Sequence, residues 1–181
     1  MHNTTVRIPA PANEPVLSYA PGSPERGRLQ ARIRQLKSET VDIPAIIGGR
    51  EVRTGRLGEI RPPHETAHQL GVYHKCGPAE VAQAIDAALE ARKVWSKMAF
   101  EDRAAIFLKA ADLLAGPWRD TANAATMLGQ SKNAFQAEID AACELIDFWR
   151  FNVRYAQQIY EDQPGSSRGI WDRMQYRALE G

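Results

Sequence analysis

The longest amphipathic pattern in the chain is SKNAFQAEIDAACELIDFWRFNVRYAQQIY, residues 131–160. Apolar side chains recur within it at spacings of three and four residues, the period of an α-helix. They are Phe135, Ile139, Ala142, Ile146, Trp149, Val153 and Ala156. With Ser131 as its N-cap, the pattern predicts one helix of roughly 45 Å. Such a helix is long for a chain of 181 residues, so part of its apolar face is expected to pack against polypeptide that this chain does not contain.

Four shorter helices are predicted upstream of this pattern. The first begins where Ser23 offers a hydroxyl N-cap and Pro24 stands in the first turn, where proline is tolerated. The third ends at Gly116-Pro117, a pair typical of helix ends, and Gly129 is predicted to cap the end of the fourth. The predicted ranges are 24–37, 78–96, 101–115 and 118–128.

Short strands are predicted between the first and second helices, where they form a small antiparallel β unit. Two of them flank Gly48-Gly49, a hairpin-type turn, and two more flank Pro62-Pro63. A further strand is predicted at 170–179, and the chain then stops in mid-pattern with no closing element. The predicted divisions are an extended arm plus first helix at 1–39, the β unit at 40–76, a helical part at 77–162, and a loop with the start of a strand at 163–181.

Composition excludes several classes of protein. Hydrophobic residues make up 44% and charged residues 25%, with a formal net charge of +1, as in ordinary globular proteins. This balance gives no field that would attract nucleic acid or an anionic membrane, and no apolar run is long enough to span a bilayer. Two cysteines cannot form a disulfide framework, and the N-terminus carries no recognisable leader, so we expect a cytoplasmic location.

The most conspicuous motif is H-E-x-x-H, at His64, Glu65 and His68. On a helix this spacing places both imidazoles on one face to bind zinc, with the glutamate as general base. The preceding Pro62-Pro63 and the lack of a helical apolar stripe favour a loop between two strands instead. A zinc hydrolase is therefore an alternative, and the sequence predicts no metal site.

The remaining chemical groups form no complete catalytic constellation. Nothing around Cys76 identifies it as a nucleophile apart from the adjacent Lys75, and Cys143 lies in the long helix, where a buried structural thiol is expected. Glu138 stands apart from the other acids of that helix and flanks its apolar stripe. A carboxylate there lies either at a boundary with solvent or against a polar cavity, and the pattern leaves both open.

Several segments together resemble one branch of the aldehyde dehydrogenases, the Δ1-pyrroline-5-carboxylate dehydrogenases. The segments are ANEPVL at 12–17, GSPER at 22–26, DRAAIFLKAAD at 102–112 and QAEIDAA at 136–142. The resemblance runs from about residue 12 to residue 181. It implies an α/β fold in which this mostly α-helical chain is the N-terminal part of the NAD-binding domain.

The resemblance also implies an activity, the NAD-dependent oxidation of L-glutamate γ-semialdehyde to L-glutamate in proline degradation. The family's nucleophilic cysteine, general base and NAD-binding groups fall beyond residue 181, so the chain alone is expected to be inactive, with no catalytic or cofactor-binding residue. Glu138 matches a glutamate near the substrate's amino group, which makes it the predicted substrate-binding residue. The strand after residue 171 resembles part of a hairpin for subunit contact, so a homo-oligomer is expected. A stand-alone helical interaction module is the second alternative.

Overall fold

The computed structural model describes residues 7–179, and these form six α-helices, a π-helical segment and five short strands. The predicted arm and last division therefore lie partly outside the described residues, at 1–6 and 180–181. The elements in chain order are α1 (Pro24–Ser38), β1 (Val41–Ile43), β2 (Ala45–Ile47), β3 (Arg50–Val52), β4 (Leu57–Ile60), β5 (Gly71–His74), α2 (Pro78–Trp95), α3 (Phe100–Ala115), α4 (Arg119–Gln130), α5 (Ala134–Ala137), the π-helical segment (Glu138–Cys143) and α6 (Glu144–Glu161).

Local sequence signals place most of these elements. The hydroxyl of Ser23 accepts a hydrogen bond from the Arg26 N–H, as expected for the N-cap of α1. The β2–β3 hairpin turns at Gly48 and Gly49, whose φ angles of 57° and 75° are typical of a tight two-residue hairpin. The predicted helices at α1 to α4 are confirmed to within two residues at every end.

The prediction of a purely antiparallel β unit is wrong in one respect. β4 pairs with β5 and β2 with β3 in antiparallel fashion, but β1 pairs parallel to β5, with Val41 opposite Gly71. The three-stranded sheet has the order β1-β5-β4. β1 was missed because its three residues, Val-Asp-Ile, are too few to show an alternating pattern, and all three are exposed.

The start of the long helix also differs from the prediction. Ser131 has a left-handed φ of 57° and ends α4, so neither Ser131 as N-cap nor Gly129 as C-cap is right. The helix is instead capped by Asn133, whose side chain accepts from the Gln136 N–H at 2.9 Å while the Gln136 side chain accepts from the Asn133 N–H at 3.0 Å. This reciprocal pair is a capping box. It starts the helix two residues later than a lone hydroxyl at residue 131 predicts.

The strand predicted at 170–179 is not formed among the described residues, because no neighbouring strand edge lies beside it to supply ladder hydrogen bonds. The segment runs instead along α6 and α2. The Tyr176 hydroxyl donates to the Ile159 carbonyl at 3.2 Å, and its ring meets that of Tyr160 at 5.2 Å between centroids. Its predicted part in subunit contact stays a prediction.

Three buried clusters hold the described residues together, and two of them include residues of the N-terminal arm. Ala111, Leu114, Ala142 and Ile146 join α3 to the long helix. Ile8 packs with Ala104 and Val153, and Tyr19 packs with Leu29 and Ala124. The arm therefore lies against the helices and brings its polar groups to the long helix. No helix within residues 7–179 has the length and apolarity needed to cross a membrane.

Candidate functional site

The π-helical segment Glu138–Cys143 positions the two chemically interesting side chains of the long helix. Its wider turn is seen where the Glu144 N–H donates to the Ile139 carbonyl five residues back. This extra residue per turn brings the Cys143 thiol round to the Glu138 carboxylate, with Sγ 3.7 Å from Oε1. A regular α-helical period does not predict that pairing. The arrangement gives a buried carboxylate centre, by which we mean Glu138 and the side chains that contact it.

Glu138 has no exposed surface, and its carboxylate accepts hydrogen bonds from both the arm and α4. From the arm, the Leu17 N–H and the Tyr19 hydroxyl each donate at 2.8 Å. From α4, the Asn123 amide donates at 2.8 Å and the Arg119 guanidinium contacts both carboxylate oxygens. A carboxylate that is completely buried remains charged only when a cation and hydrogen-bond donors contact it in this way.

Arg119 links this carboxylate to a second one. The guanidinium is buried in α4 and also donates to the Glu14 carboxylate and, at 2.7 Å, to the Pro15 carbonyl. Arg150 of α6 binds the other oxygen of Glu14 at 2.7 Å. Cations and anions therefore alternate in the order Arg150, Glu14, Arg119, Glu138. Glu14 and Arg119 each lie between two partners of opposite sign, and Glu138 lies against Arg119 and neutral hydrogen-bond donors.

This environment keeps the centre ionised. Burial by itself raises the pKa of Glu138, but hydrogen bonds from Arg119, the Leu17 N–H, Tyr19 and Asn123 outweigh it and lower the pKa below its usual value. Burial likewise opposes the charge of Arg119, yet its hydrogen bonds to Glu138 and Glu14 raise its pKa. Burial and the neighbouring Glu138 raise the pKa of the Tyr19 hydroxyl. The carboxylate is the anion of the centre, and tyrosine stays a neutral donor.

Acid is therefore expected to weaken the fold through Glu138. A carboxyl group whose pKa is lower in the folded chain stabilises it fully above the unfolded pKa, near 4.5, and loses that stabilisation as the pH falls through the folded value. We expect Glu138→Gln to be less stable than the parent at pH 7 and to lose less stability between pH 5 and pH 3. Urea denaturation at each pH measures this, and parallel pH profiles for the two proteins would contradict it.

Further contacts fix the arm along the helix. Asp147 accepts from the Asn13 amide and the Glu14 N–H, both at 2.7 Å, and the Gln157 side chain accepts from the Ile8 N–H at 2.8 Å. The arm thus has no regular secondary structure of its own and is held by side chains of the long helix. Glu138 is one of those anchors. Its carboxylate is satisfied by donors of this chain alone, and its predicted contact with substrate stays a prediction.

The H-E-x-x-H motif lies in consecutive turns, not on a helix. The His68 N–H donates to the Glu65 carbonyl at 2.9 Å, closing one such turn. His64 hydrogen-bonds Ser131 at 2.8 Å through Nδ1, and Glu65 pairs with Lys37, which lowers the pKa of the Glu65 carboxyl. Among residues 7–179, no three His, Cys, Asp or Glu side chains are grouped so as to hold a metal ion. The helical geometry that the zinc alternative requires is absent here.

The two thiols differ sharply in environment. Cys76 is exposed, whereas Cys143 is buried beside Glu138, and burial together with that carboxylate raises the pKa of Cys143 to about 11.

Because the thiolate is the reactive form, we expect one thiol of the native chain to react rapidly with an aromatic disulfide reagent at pH 8. The second should react at least tenfold more slowly until urea is added. In Cys76→Ser the fast phase should vanish, and a persistent fast phase would contradict the assignment.

Comparison with known proteins identifies the fold. A model of the aldehyde dehydrogenase family matches residues 52–179. The chain is 50% identical to Δ1-pyrroline-5-carboxylate dehydrogenase of Agaricus bisporus, over 98% of this chain and 33% of that protein. It is 46% identical to the mitochondrial enzyme of that name from Bos taurus, over 94% of this chain and 30% of that protein.

A solved structure shows the same likeness. The Δ1-pyrroline-5-carboxylate dehydrogenase of Mycobacterium tuberculosis, bound with NAD, superposes with a TM-score of 0.97 at 51% identity, covering 99% of this chain and 34% of that one. This chain therefore spans about a third of the length of the relatives it matches. Its helices and small sheets are part of the predicted α/β architecture, and the chain belongs to the aldehyde dehydrogenase family.

Proposed function

We propose that this chain is part of an NAD-dependent dehydrogenase that oxidises L-glutamate γ-semialdehyde to L-glutamate. The observation that carries the proposal is the 50% identity to a Δ1-pyrroline-5-carboxylate dehydrogenase over 98% of the chain. Identity of this extent includes the arm and the long helix, where the resemblance to this branch is most specific. The small aldehyde is then the substrate of the full-length protein, together with NAD.

The turn at Gly77 does not fit the phosphates of NAD. A glycine between a strand and a helix N-terminus is the usual place for a dinucleotide phosphate, and Gly77 lies in such a turn between β5 and α2. The Glu80 carboxylate already accepts from the Gly77 N–H at 2.6 Å and pairs with Arg56 at 3.1 Å. A phosphate bound at the Gly77 N–H would displace the Glu80 carboxylate and be repelled by its negative charge. The resemblance instead implies that the groups that bind the cofactor lie in the part of the relatives that this chain does not match.

A chimeric enzyme tests the proposal. We would replace the matched third of the Mycobacterium tuberculosis dehydrogenase with residues 1–181 and follow NADH formation from L-glutamate γ-semialdehyde. The chimera should retain activity, and residues 1–181 alone should form no NADH. A folded chimera that binds NAD but does not oxidise this aldehyde would overturn the proposal.

The substrate-binding role of Glu138 is part of the same proposal. In the chimera we expect Glu138→Ala to raise the KM for the semialdehyde at least tenfold while changing the affinity for NAD less. Because Glu138 also anchors the arm, Tyr19→Phe is the matched control. It removes one hydrogen bond to the carboxylate and keeps the charge. Equal effects of the two substitutions on KM would show that Glu138 acts through the arm, and would remove it from the substrate site.

Location and assembly belong to the proposal as well. The expected cytoplasmic location stays a prediction, because relatives such as that of Bos taurus are named as mitochondrial. A homo-oligomer of the full-length protein also stays a prediction, resting on the resemblance of residues 172–179 to a subunit-contact hairpin.

A further inference from the structure

We propose that residues 7–22, the described part of the arm, leave the long helix as one unit while the helices stay folded. The arm is then a strap that opens and closes over the buried carboxylate centre. Residues 7–22 contain no helix or strand and end in a turn at 21–22. Local openings of such segments have free energies below that of global unfolding.

Main-chain N–H groups of the arm are bound by side chains of the long helix, and this determines what an opening breaks. Three of them donate to acceptors on that helix at 2.7 to 2.8 Å. The pairs are Ile8 with Gln157, Glu14 with Asp147, and Leu17 with Glu138. The arm therefore lies antiparallel to the helix. Because each acceptor is a side chain, release of the arm removes none of the backbone hydrogen bonds that form the helix.

Anchors at both ends of the arm make its release cooperative. Ile8 at one end is 8% exposed and packs with Val153. Tyr19 at the other end is 6% exposed and packs with Leu29. Between them, the Glu14 carboxylate pairs with one arginine of α4 and one of α6. Three prolines between the two ends fix φ and keep the backbone extended, so a displacement at one end also displaces the other.

Gly22 provides the hinge. Its φ of 82° is left-handed, which glycine adopts without strain, and apart from its chain neighbours no described heavy atom lies within 4 Å of where a Cβ would stand. Beyond the hinge, Arg28 of α1 contacts Asp120 of α4 at 3.1 Å. Arg32 of α1 contacts Thr121 of α4 at the same distance. These contacts do not involve the arm, so α1 stays on α4 when the arm leaves.

The buried carboxylate centre tolerates the loss of the arm. Opening breaks the two hydrogen bonds that Glu138 accepts from the arm. Those from Arg119 and Asn123 of α4 remain, so no buried charge is left without a partner. Opening also uncovers Cys143, whose Sγ lies 3.9 Å from the Pro15 carbonyl of the arm. The rate at which this thiol reacts therefore reports the population of the open state.

Thiol labelling of the 181-residue chain carrying Cys76→Ser separates opening of the arm from global unfolding. In this background Tyr19→Phe removes a hydrogen bond between arm and centre, so Cys143 should react with an aromatic disulfide reagent at least tenfold faster. The matched Leu114→Ala leaves a cavity in a cluster that contains no arm residue, and it lowers global stability. It should change the labelling rate less than twofold. A rate that rises in Leu114→Ala in proportion to the lost global stability would overturn the proposal, because Cys143 would then be exposed only by global unfolding.

Hydrogen exchange tests whether the arm moves as one unit. By NMR, the N–H groups of Ile8, Glu14 and Leu17 should share one protection factor, lower than that of the long helix. Ile8→Ala should speed exchange at Leu17 as much as at Glu14, because the anchor it removes belongs to the whole unit. Faster exchange at Glu14 with none at Leu17 would show that the arm frays from one end, and would overturn the proposal.

The chimera with the Mycobacterium tuberculosis dehydrogenase extends the test to a complete enzyme, so the test does not require residues 1–181 to fold alone. Exchange followed by mass spectrometry should show residues 7–22 exchanging before the long helix. Equal protection of the two segments in a folded chimera would contradict the proposal. These measurements do not use dehydrogenase activity. An inactive chimera would therefore count against the proposed function alone, and an arm that never opens would count against the strap alone.

Discussion

Arg119→Met is expected to lower the free energy of unfolding of the chain by about 3–5 kcal/mol, the cost of breaking a buried ion pair from one side. Methionine keeps much of the volume but donates nothing to Glu138, Glu14 or the Pro15 carbonyl. The Glu138 carboxylate, with no exposed surface, would then remain charged and short of donors, or take up a proton. Urea denaturation at pH 7, followed by circular dichroism, measures the loss.

Two further variants separate this effect from general damage. Arg119→Met combined with Glu138→Gln removes both charges of the pair, so it should be more stable than Arg119→Met alone by about 1–2 kcal/mol. Arg28→Met breaks a pair with Asp120 whose arginine is 58% exposed, and it should cost less than about 1 kcal/mol. If Arg119→Met cost no more than Arg28→Met, the buried carboxylate centre would contribute little to stability.

The helices could be predicted because their signals are local. Ser23 caps α1, Gly48-Gly49 turns the hairpin, and the spacing of apolar residues marks α2 and α3, all from neighbours in sequence. The errors arose where structure depends on distant or competing contacts. β1 exists only because β5 pairs with it, about 30 residues later, and Asn133 replaces Ser131 as the cap because Gln136 completes a capping box.

Of the candidate site, the sequence predicted Glu138 but none of its partners. Glu138 could be predicted because a carboxylate on the flank of an apolar stripe needs polar partners. Its partners in the arm, Leu17 and Tyr19, lie about 120 residues away in sequence, and prolines there indicate only extended backbone. Arg119 begins α4 with nothing in its neighbourhood to suggest burial. The π-helical segment moves Cys143 around the helix axis relative to its position in a regular α-helix. A spacing of three and four apolar residues does not predict such a segment.

Glu138 is both the predicted substrate-binding residue and a structural anchor of the arm. The resemblance predicts that it lies near the substrate's amino group, and in the structure it is the point where the arm, α4 and the long helix meet. A carboxylate fixed by this many donors has a defined position and stays ionised, and Arg119 is already its cationic partner within this chain. A substitution that weakens the contacts of the arm should also change the position of the Glu138 carboxylate. Variants of the arm are therefore the appropriate controls for variants of Glu138.

Tyr19→Ala is expected to lower the free energy of unfolding by about 3–5 kcal/mol, as removal of a buried aromatic ring usually does. Tyr19 is only 6% exposed, packs with Leu29 and Ala124, and donates its hydroxyl to Glu138. Its φ of 53° is left-handed, an uncommon conformation for a bulky residue that costs about 1–2 kcal/mol. The ring's contacts hold the backbone in this strained conformation.

Glycine at the same position gives the discriminating measurement. In most loops glycine is less stabilising than alanine by about 0.4–1 kcal/mol, because it leaves the unfolded chain more freedom. At residue 19 it also relieves the left-handed strain, so Tyr19→Gly should be more stable than Tyr19→Ala by about 1 kcal/mol, while Tyr19→Phe should lose about 1.5–3 kcal/mol through the hydrogen bond to a charged group. Denaturation of the three variants in parallel gives the order. If Tyr19→Ala were more stable than Tyr19→Gly, residue 19 would leave the left-handed conformation once the ring is removed. The buried tyrosine side chain alone would then impose that conformation.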